Sequence, residues 1–168
     1  DYYDEKKEKE RIEKIKIIEY FFGNDAINFD ADIKQQLINI MKDNSFHEQF
    51  ILIMSQNRIK SERKKAWIEI MGECLNIIIE KSKEINCYDK IKNSIILTQT
   101  YYYYEAETKQ KIYMFKLIKN HEFFKDIKFW QDFIDSIIDK EYKHFFKQND
   151  INYTDSLDGL QINNNLKN

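Results

Sequence analysis

The residues whose types could do chemistry are few: three histidines, two cysteines and a dense aromatic stretch. Glu141 and His144 stand in the Glu-x-x-His spacing that one helix of a di-iron bundle uses. Such a site takes two of these pairs plus two more glutamates, and no second pair occurs. Nucleophilic catalysis needs a Ser or Cys beside a positioned base. Neither Cys74 nor Cys87 has a histidine nearby in sequence, and Cys74, set among apolar residues, reads as a small core side chain. Three isolated glycines cannot build a Walker or dinucleotide loop. The His-Asp dipeptide of helical phosphohydrolases is absent. We therefore expect no catalytic residue, no metal and no cofactor.

The distinctive stretch runs from Gln99 to Ile138. It carries Tyr101, Tyr102, Tyr103 and Tyr104 in succession, then Phe129 beside Trp130. If the tyrosines are helical, steps of roughly 100° spread them over every face, so at most two enter the core. The others then sit at a boundary, with the ring buried and the hydroxyl wet or bonded. That arrangement suits a partner surface, since Tyr and Trp are enriched at binding hot spots. It equally suits packing of a following short helix onto the one that carries the tyrosines.

The elements that position these residues are expected to be helical. The chain has 168 residues, no Pro and only 3 Gly, so breakers and turn formers are scarce. Hydrophobic residues make up 42% and charged residues 33%, as in a globular protein. The fold class read from this is all-α: one compact domain of about seven helices over 1–149, with a polar, Asn-rich tail over 150–168. A net charge of −2 lacks the footprint of a nucleic-acid binder. No apolar run is long enough to span a bilayer. No signal peptide is read at the charged N-terminal stretch. Two cysteines fit a reducing, cytoplasmic setting. The absence of an initial Met reads as a piece of a longer protein.

Along the chain, a first helix runs from about Tyr3 to Phe22, charged early and apolar late through Ile15, Ile18 and Phe22, with Gly23-Asn24 as its stop. Asp30 has the look of a helix cap, with Ile33, Leu37, Ile40 and Met41 inward. Ser45 and Glu48 have capping-box spacing for a third helix. Ser61 is read as the cap of a fourth, opened by a basic stretch at Arg63, Lys64 and Lys65. Trp67, Ile70, Met71, Cys74, Leu75, Ile78 and Ile79 make it the centre of the core. A fifth helix from Tyr88 is read as continuing into the tyrosines, with Ile91, Ile95 and Ile96 inward. Glu105 to Lys109 form a turn, and a short sixth helix carries Ile112 to Ile118. A seventh, from Phe123 to Phe146, is expected to set Ile127, Trp130, Ile134, Ile137 and Ile138 on one side, widened by Phe133 and Phe129. The tail could dock through Ile151, Tyr153, Leu157 and Leu160.

The stretch from Gln99 to Ile138 resembles the C-terminal half of the domain found in the SET-binding-factor proteins, DENN-containing pseudophosphatases of the myotubularin group, and in a related small brain-expressed family, and the resemblance covers most of residues 10–145. The likeness rests on the tyrosines Tyr101 to Tyr104, then Lys111, Ile112 and Tyr113. A basic-Phe-Trp triplet follows at Lys128, Phe129 and Trp130, then Phe133, Ile134 and Asp135. The chain departs where that family carries a Pro and then a Trp before the triplet; Glu122 and Phe124 stand there. Its insert after the tyrosines is also short. The resemblance implies no catalytic site. It implies a helical regulatory or scaffolding domain in a cytoplasmic regulator of membrane traffic and Rab GTPases, peripheral to endosomal membranes through other parts of its parent protein.

The expected function is thus a non-enzymatic protein-interaction domain with protein partners and no nucleic acid. The alternatives are a structural subunit of a large cytoskeletal or coat assembly, and a cryptic helical enzyme centred on His144.

Overall fold

A computed structural model describes residues 2–23 and 30–148. The chain is mostly helical, as its composition predicts. Its elements are α1 (Tyr2–Gly23), α2 (Ala31–Met41), α3 (His47–Gln56), α4 (Lys65–Glu84), α5 (Tyr88–Thr98), β1 (Tyr102–Tyr104), β2 (Lys111–Tyr113), α6 (Phe115–Ile118) and α7 (Ile127–Gln148). It divides into two compact units, Asp1–Phe123 and Phe124–Asn168. The expected tail over 150–168, its docking residues and Asn24 lie outside the described residues.

In the first unit, α4 is the central helix. Its three- and four-residue apolar spacing buries all seven residues expected of it. Ile18, Phe21 and Phe22 of α1, Leu37, Ile40 and Met41 of α2, and Phe50, Ile53 and Met54 of α3 join the same core. Asp30 caps α2 by accepting a hydrogen bond from the Asp32 amide at 3.1 Å.

Two other expected caps are replaced. Asp43, not Ser45, opens the third helical segment, accepting from the Ser45 amide at 2.9 Å and from its hydroxyl at 2.7 Å. A carboxylate two residues ahead can take both donors, so Ser45 is turned to Asp43 rather than to the amide three residues on. Those bonds, the backbone one first, hold the Asp43 carboxyl below its ordinary pKa. Ser61 does not cap α4, which starts at Lys65 with Lys64 ahead of it and no side-chain cap. The Ser61 hydroxyl instead donates to the Arg58 carbonyl.

The largest correction concerns the tyrosines. The helix α5 stops at Thr98, and Tyr102–Tyr104 form a strand. It pairs antiparallel with Lys111–Tyr113 in the register Tyr102 to Tyr113, Tyr103 to Ile112 and Tyr104 to Lys111. The expected helix over Ile112–Ile118 is therefore a strand followed by the single turn α6. In α5 itself, Leu97 takes the buried place expected of Ile96, which is exposed.

In the second unit, α7 begins at Ile127, after a 3-10 turn at Glu122–Lys125 that spans the division between the units. Phe129 and Phe133, one turn apart, are buried, while Ile127, Ile134 and Ile138 are exposed and Trp130 is half-buried. The inward face is thus turned away from the isoleucines by more than a quarter-circle. The two rings stack on each other at 6.2 Å, and each meets Trp130 edge-on.

Candidate functional site

The β1–β2 ribbon gathers several aromatic side chains at the surface of the first unit. Period-2 alternation sorts the four tyrosines. Tyr101 and Tyr103 point inward and are buried. Tyr102 is half-buried and Tyr104 half-exposed. Ile112, from β2, and Met114, just after it, complete the inner face. Tyr102, Tyr104, Lys111 and Tyr113 form the outer one.

The inner face is fixed by bonds that reach far along the chain. The Tyr101 hydroxyl donates to the Met54 carbonyl at the end of α3, at 2.6 Å. Its ring lies 5.0 Å from that of Trp67. Trp67 in turn donates its indole N–H to the Phe21 carbonyl at 2.6 Å. Gly72 of α4 allows Met114 in: a Cβ there would lie 3.3 Å from Met114 Cγ, tighter than a side chain tolerates without displacement.

Arg63 is the organising residue that sequence reasoning missed. The basic stretch reads as a solvated helix opening, yet Arg63 is buried in an extended segment. That segment pairs in parallel with β1: the Tyr102 amide donates to the Ser61 carbonyl at 3.1 Å, and the Arg63 amide donates to the Tyr102 carbonyl at 2.9 Å. The guanidinium sits 4.6 Å from the Trp67 ring centre and 6.0 Å from that of Tyr101. It also donates to the Lys60 carbonyl at 2.9 Å and to the Phe22 carbonyl at 3.4 Å. A planar cation that stacks on indole while bonding carbonyls suits arginine and not lysine. It also places positive charge at the C-terminal end of α1, whose last turn has no basic residue of its own.

The outer face is an aromatic platform with a cation on it. The Lys111 ammonium lies 3.9 Å from the Tyr102 ring centre and 4.9 Å from that of Tyr113. Tyr102 meets Tyr113 edge-on at 5.6 Å and Tyr104 at 5.7 Å. The side-chain hydrogen bond with Tyr113, followed by the charge effects of the neighbouring tyrosines, raises the Lys111 pKa. The 105–110 turn closes the ribbon. Glu105 and Gln110 bond across it at 2.9 Å, Thr108 donates to the Glu105 carboxylate at 2.7 Å, and Lys109 takes a left-handed conformation at φ 57°.

The other sequence-derived candidates fall elsewhere. The tyrosine run lies in the first unit, and Lys128, Phe129 and Trp130 lie on α7 in the second. There Trp130 stacks on Phe124 at 5.5 Å and meets Phe133 edge-on at 5.2 Å. Lys128 is exposed.

Each histidine has a structural partner. The His47 ring donates to the Met41 carbonyl at 2.6 Å and is buried, and burial, chiefly, pushes its pKa down. His121 pairs with Glu80 at 3.0 Å while its other ring nitrogen accepts from the Phe123 amide at 3.2 Å. His144 lies 2.9 Å from the Gln148 side chain. Among the described residues no three His, Cys, Asp or Glu side chains cluster as a metal site, and no helix is long and apolar enough to cross a membrane. Burial raises the Cys74 thiol pKa far above the ordinary range, which makes it a poor nucleophile.

No family model matches the chain, and neither the curated proteins nor the solved structures yield a match.

Proposed function

We propose that this chain is a non-enzymatic protein-interaction domain whose contact surface is the outer face of the β1–β2 ribbon. The observation that carries this reading is the Lys111 ammonium over the rings of Tyr102 and Tyr113, with Tyr104 edge-on to Tyr102, mounted on a buried layer. Tyrosine rings give large contact area for little lost side-chain freedom, and their hydroxyls suit a rim that is part dry and part wet. Recognition runs through these side chains rather than through strand pairing. Tyr102 spends its backbone groups on Ser61 and Arg63, so alternation turns those of Lys111 and Tyr113 to the open edge. An edge three residues long that carries a lysine is a poor template for a further strand.

A role in membrane traffic or Rab GTPase regulation, in the cytoplasm at endosomal membranes, is the finer form of this proposal. It draws on the resemblance at Tyr101–Tyr104, Lys111–Tyr113 and Lys128–Trp130. The test is affinity capture with the 168-residue chain and its Tyr104→Ala/Tyr113→Ala variant, with GTP- and GDP-loaded GTPases offered as bait. A partner held by the wild type and lost by a normally melting variant supports the ribbon. A partner held equally by both removes the ribbon from the proposal, and turnover by the chain alone removes the non-enzymatic reading. A second reading, a subunit of a larger assembly, is favoured by the exposed isoleucines of α7.

A further inference from the structure

The face of α7 opposite its buried phenyl rings carries Ile127, Ile134, Ile138 and Phe145, exposed by 74%, 51%, 48% and 55%. At roughly 100° per residue these four project within about 40° of one another, a narrow stripe along the helix. Tyr142, 55% exposed, lies just beside it. Single exposed apolar residues need no explanation, but four on one helix face, separated by Gln131 and Glu141, suit a contact surface.

The spacing of the row says what covers it. Its steps are seven, four and seven residues, so it reads the same in both directions. An isologous interface demands this self-complementarity, because each residue i that meets j must also be met by j from the other copy. Two copies of α7 laid antiparallel about a twofold axis near residue 136 stack Ile127 on Phe145 and Ile134 on Ile138. Between those layers Gln131 falls opposite Glu141, and the amide can donate to the carboxylate. In heptad terms every layer then pairs one a position with one d position, the packing of an antiparallel coiled coil. A parallel pair would instead set Phe145 on Phe145 and Glu141 on Glu141, placing like charges in the seam.

Area sets the strength. The five exposed apolar side chains offer on the order of 600 Å² per copy, hence about 1,200 Å² for the pair, the lower end of specific interfaces. We propose that the chain self-associates through α7 as a weak antiparallel twofold dimer. Its dissociation constant belongs in the micromolar range, about 10⁻⁶ to 10⁻⁴ M. This goes beyond the ribbon reading and does not depend on it.

Sedimentation velocity across a concentration series of the 168-residue chain tests this. The expected result is a monomer–dimer equilibrium that Ile134→Lys weakens by about tenfold or more. Adding Ile138→Glu to that variant should restore much of the association, because antiparallel stacking sets Lys on Glu in both central layers. Ile59→Lys, at a residue 97% exposed outside α7, serves as the control and should change nothing. Thermal melts confirm that each variant is folded. A chain that stays monomeric to several hundred micromolar overturns the proposal, as does a dimer indifferent to Ile134→Lys. Failure of the second charge to rescue excludes the antiparallel register. Association seen only after residues 149–168 are deleted assigns the stripe to the chain's own C-terminal segment and likewise overturns the dimer.

Discussion

The ribbon and α7 handle the same material differently. Each brings several large rings together within a few residues of chain, yet the ribbon sorts its rings by alternation and α7 by helical turn. In β1, neighbours Tyr103 and Tyr104 part company, one into the core and one toward solvent. In α7, residues four apart share a fate, so Phe129 and Phe133 are both buried while Ile134 and Ile138 are both exposed. An aromatic run therefore does not declare its inner face until the backbone period is known.

The sharpest test of this comparison is within the tyrosine run. Tyr101→Ala should cost about 3–5 kcal/mol, since it empties a fully buried site and strands the Met54 carbonyl. Tyr104→Ala, three residues on, should cost less than about 0.5 kcal/mol, as for an ordinary surface change. Urea denaturation of both variants decides it. Equal losses would mean that alternation does not govern burial here.

A smaller effect is expected on α7. Trp130→Ala should cost about 2 kcal/mol, below the loss for a core tryptophan, because the ring is only half-buried and its contacts are with Phe124, Phe129 and Phe133. A loss as large as that of Tyr101→Ala would put Trp130 in the core after all. A loss near zero would make the phenyl rings sufficient without it.

The smallest effect is graded by pH and belongs to the first unit. The folded-state pKa of His47 is depressed by burial, so the unfolded chain binds the proton more readily. Stability is then full above the ordinary histidine pKa of about 6.5 and falls as pH drops below it, until the folded pKa is passed. Melting temperatures recorded from pH 7.5 to 5 should show this decline, and His47→Gln should flatten it. A decline of equal size in the variant would assign it to other groups.

Much of the helical framework was legible because its signals are local. The apolar row from Trp67 to Ile79 repeats over four turns, and Asp30 stands where a cap must stand. The ribbon was not, for two physical reasons. Four identical residues carry no periodicity, so strand and helix are equally compatible with them. The partners that make them a strand, Ser61–Arg63 and Lys111–Tyr113, lie outside the run. The turn also lacks the usual Gly or Pro and is closed by Thr108 and by Lys109 in a left-handed conformation. Arg63 escaped notice because nothing in a run of three basic residues shows which member will find an indole and a helix end. On α7, the apolar residues span a broad arc, and only packing shows which part of it is buried.

The three side-chain bonds that fasten the ribbon's underside span long stretches of chain: Arg63 to Phe22 across 41 residues, Trp67 to Phe21 across 46 and Tyr101 to Met54 across 47. Each ends on a backbone carbonyl at or near the end of a helix, so its acceptor is in place only once that helix has formed and docked. Closing loops of this length carries an entropic cost that helix formation within α4 or α5 does not. The consequence is kinetic. The expectation is that these bonds form after the main barrier, so that weakening them speeds unfolding more than it slows folding in stopped-flow kinetics.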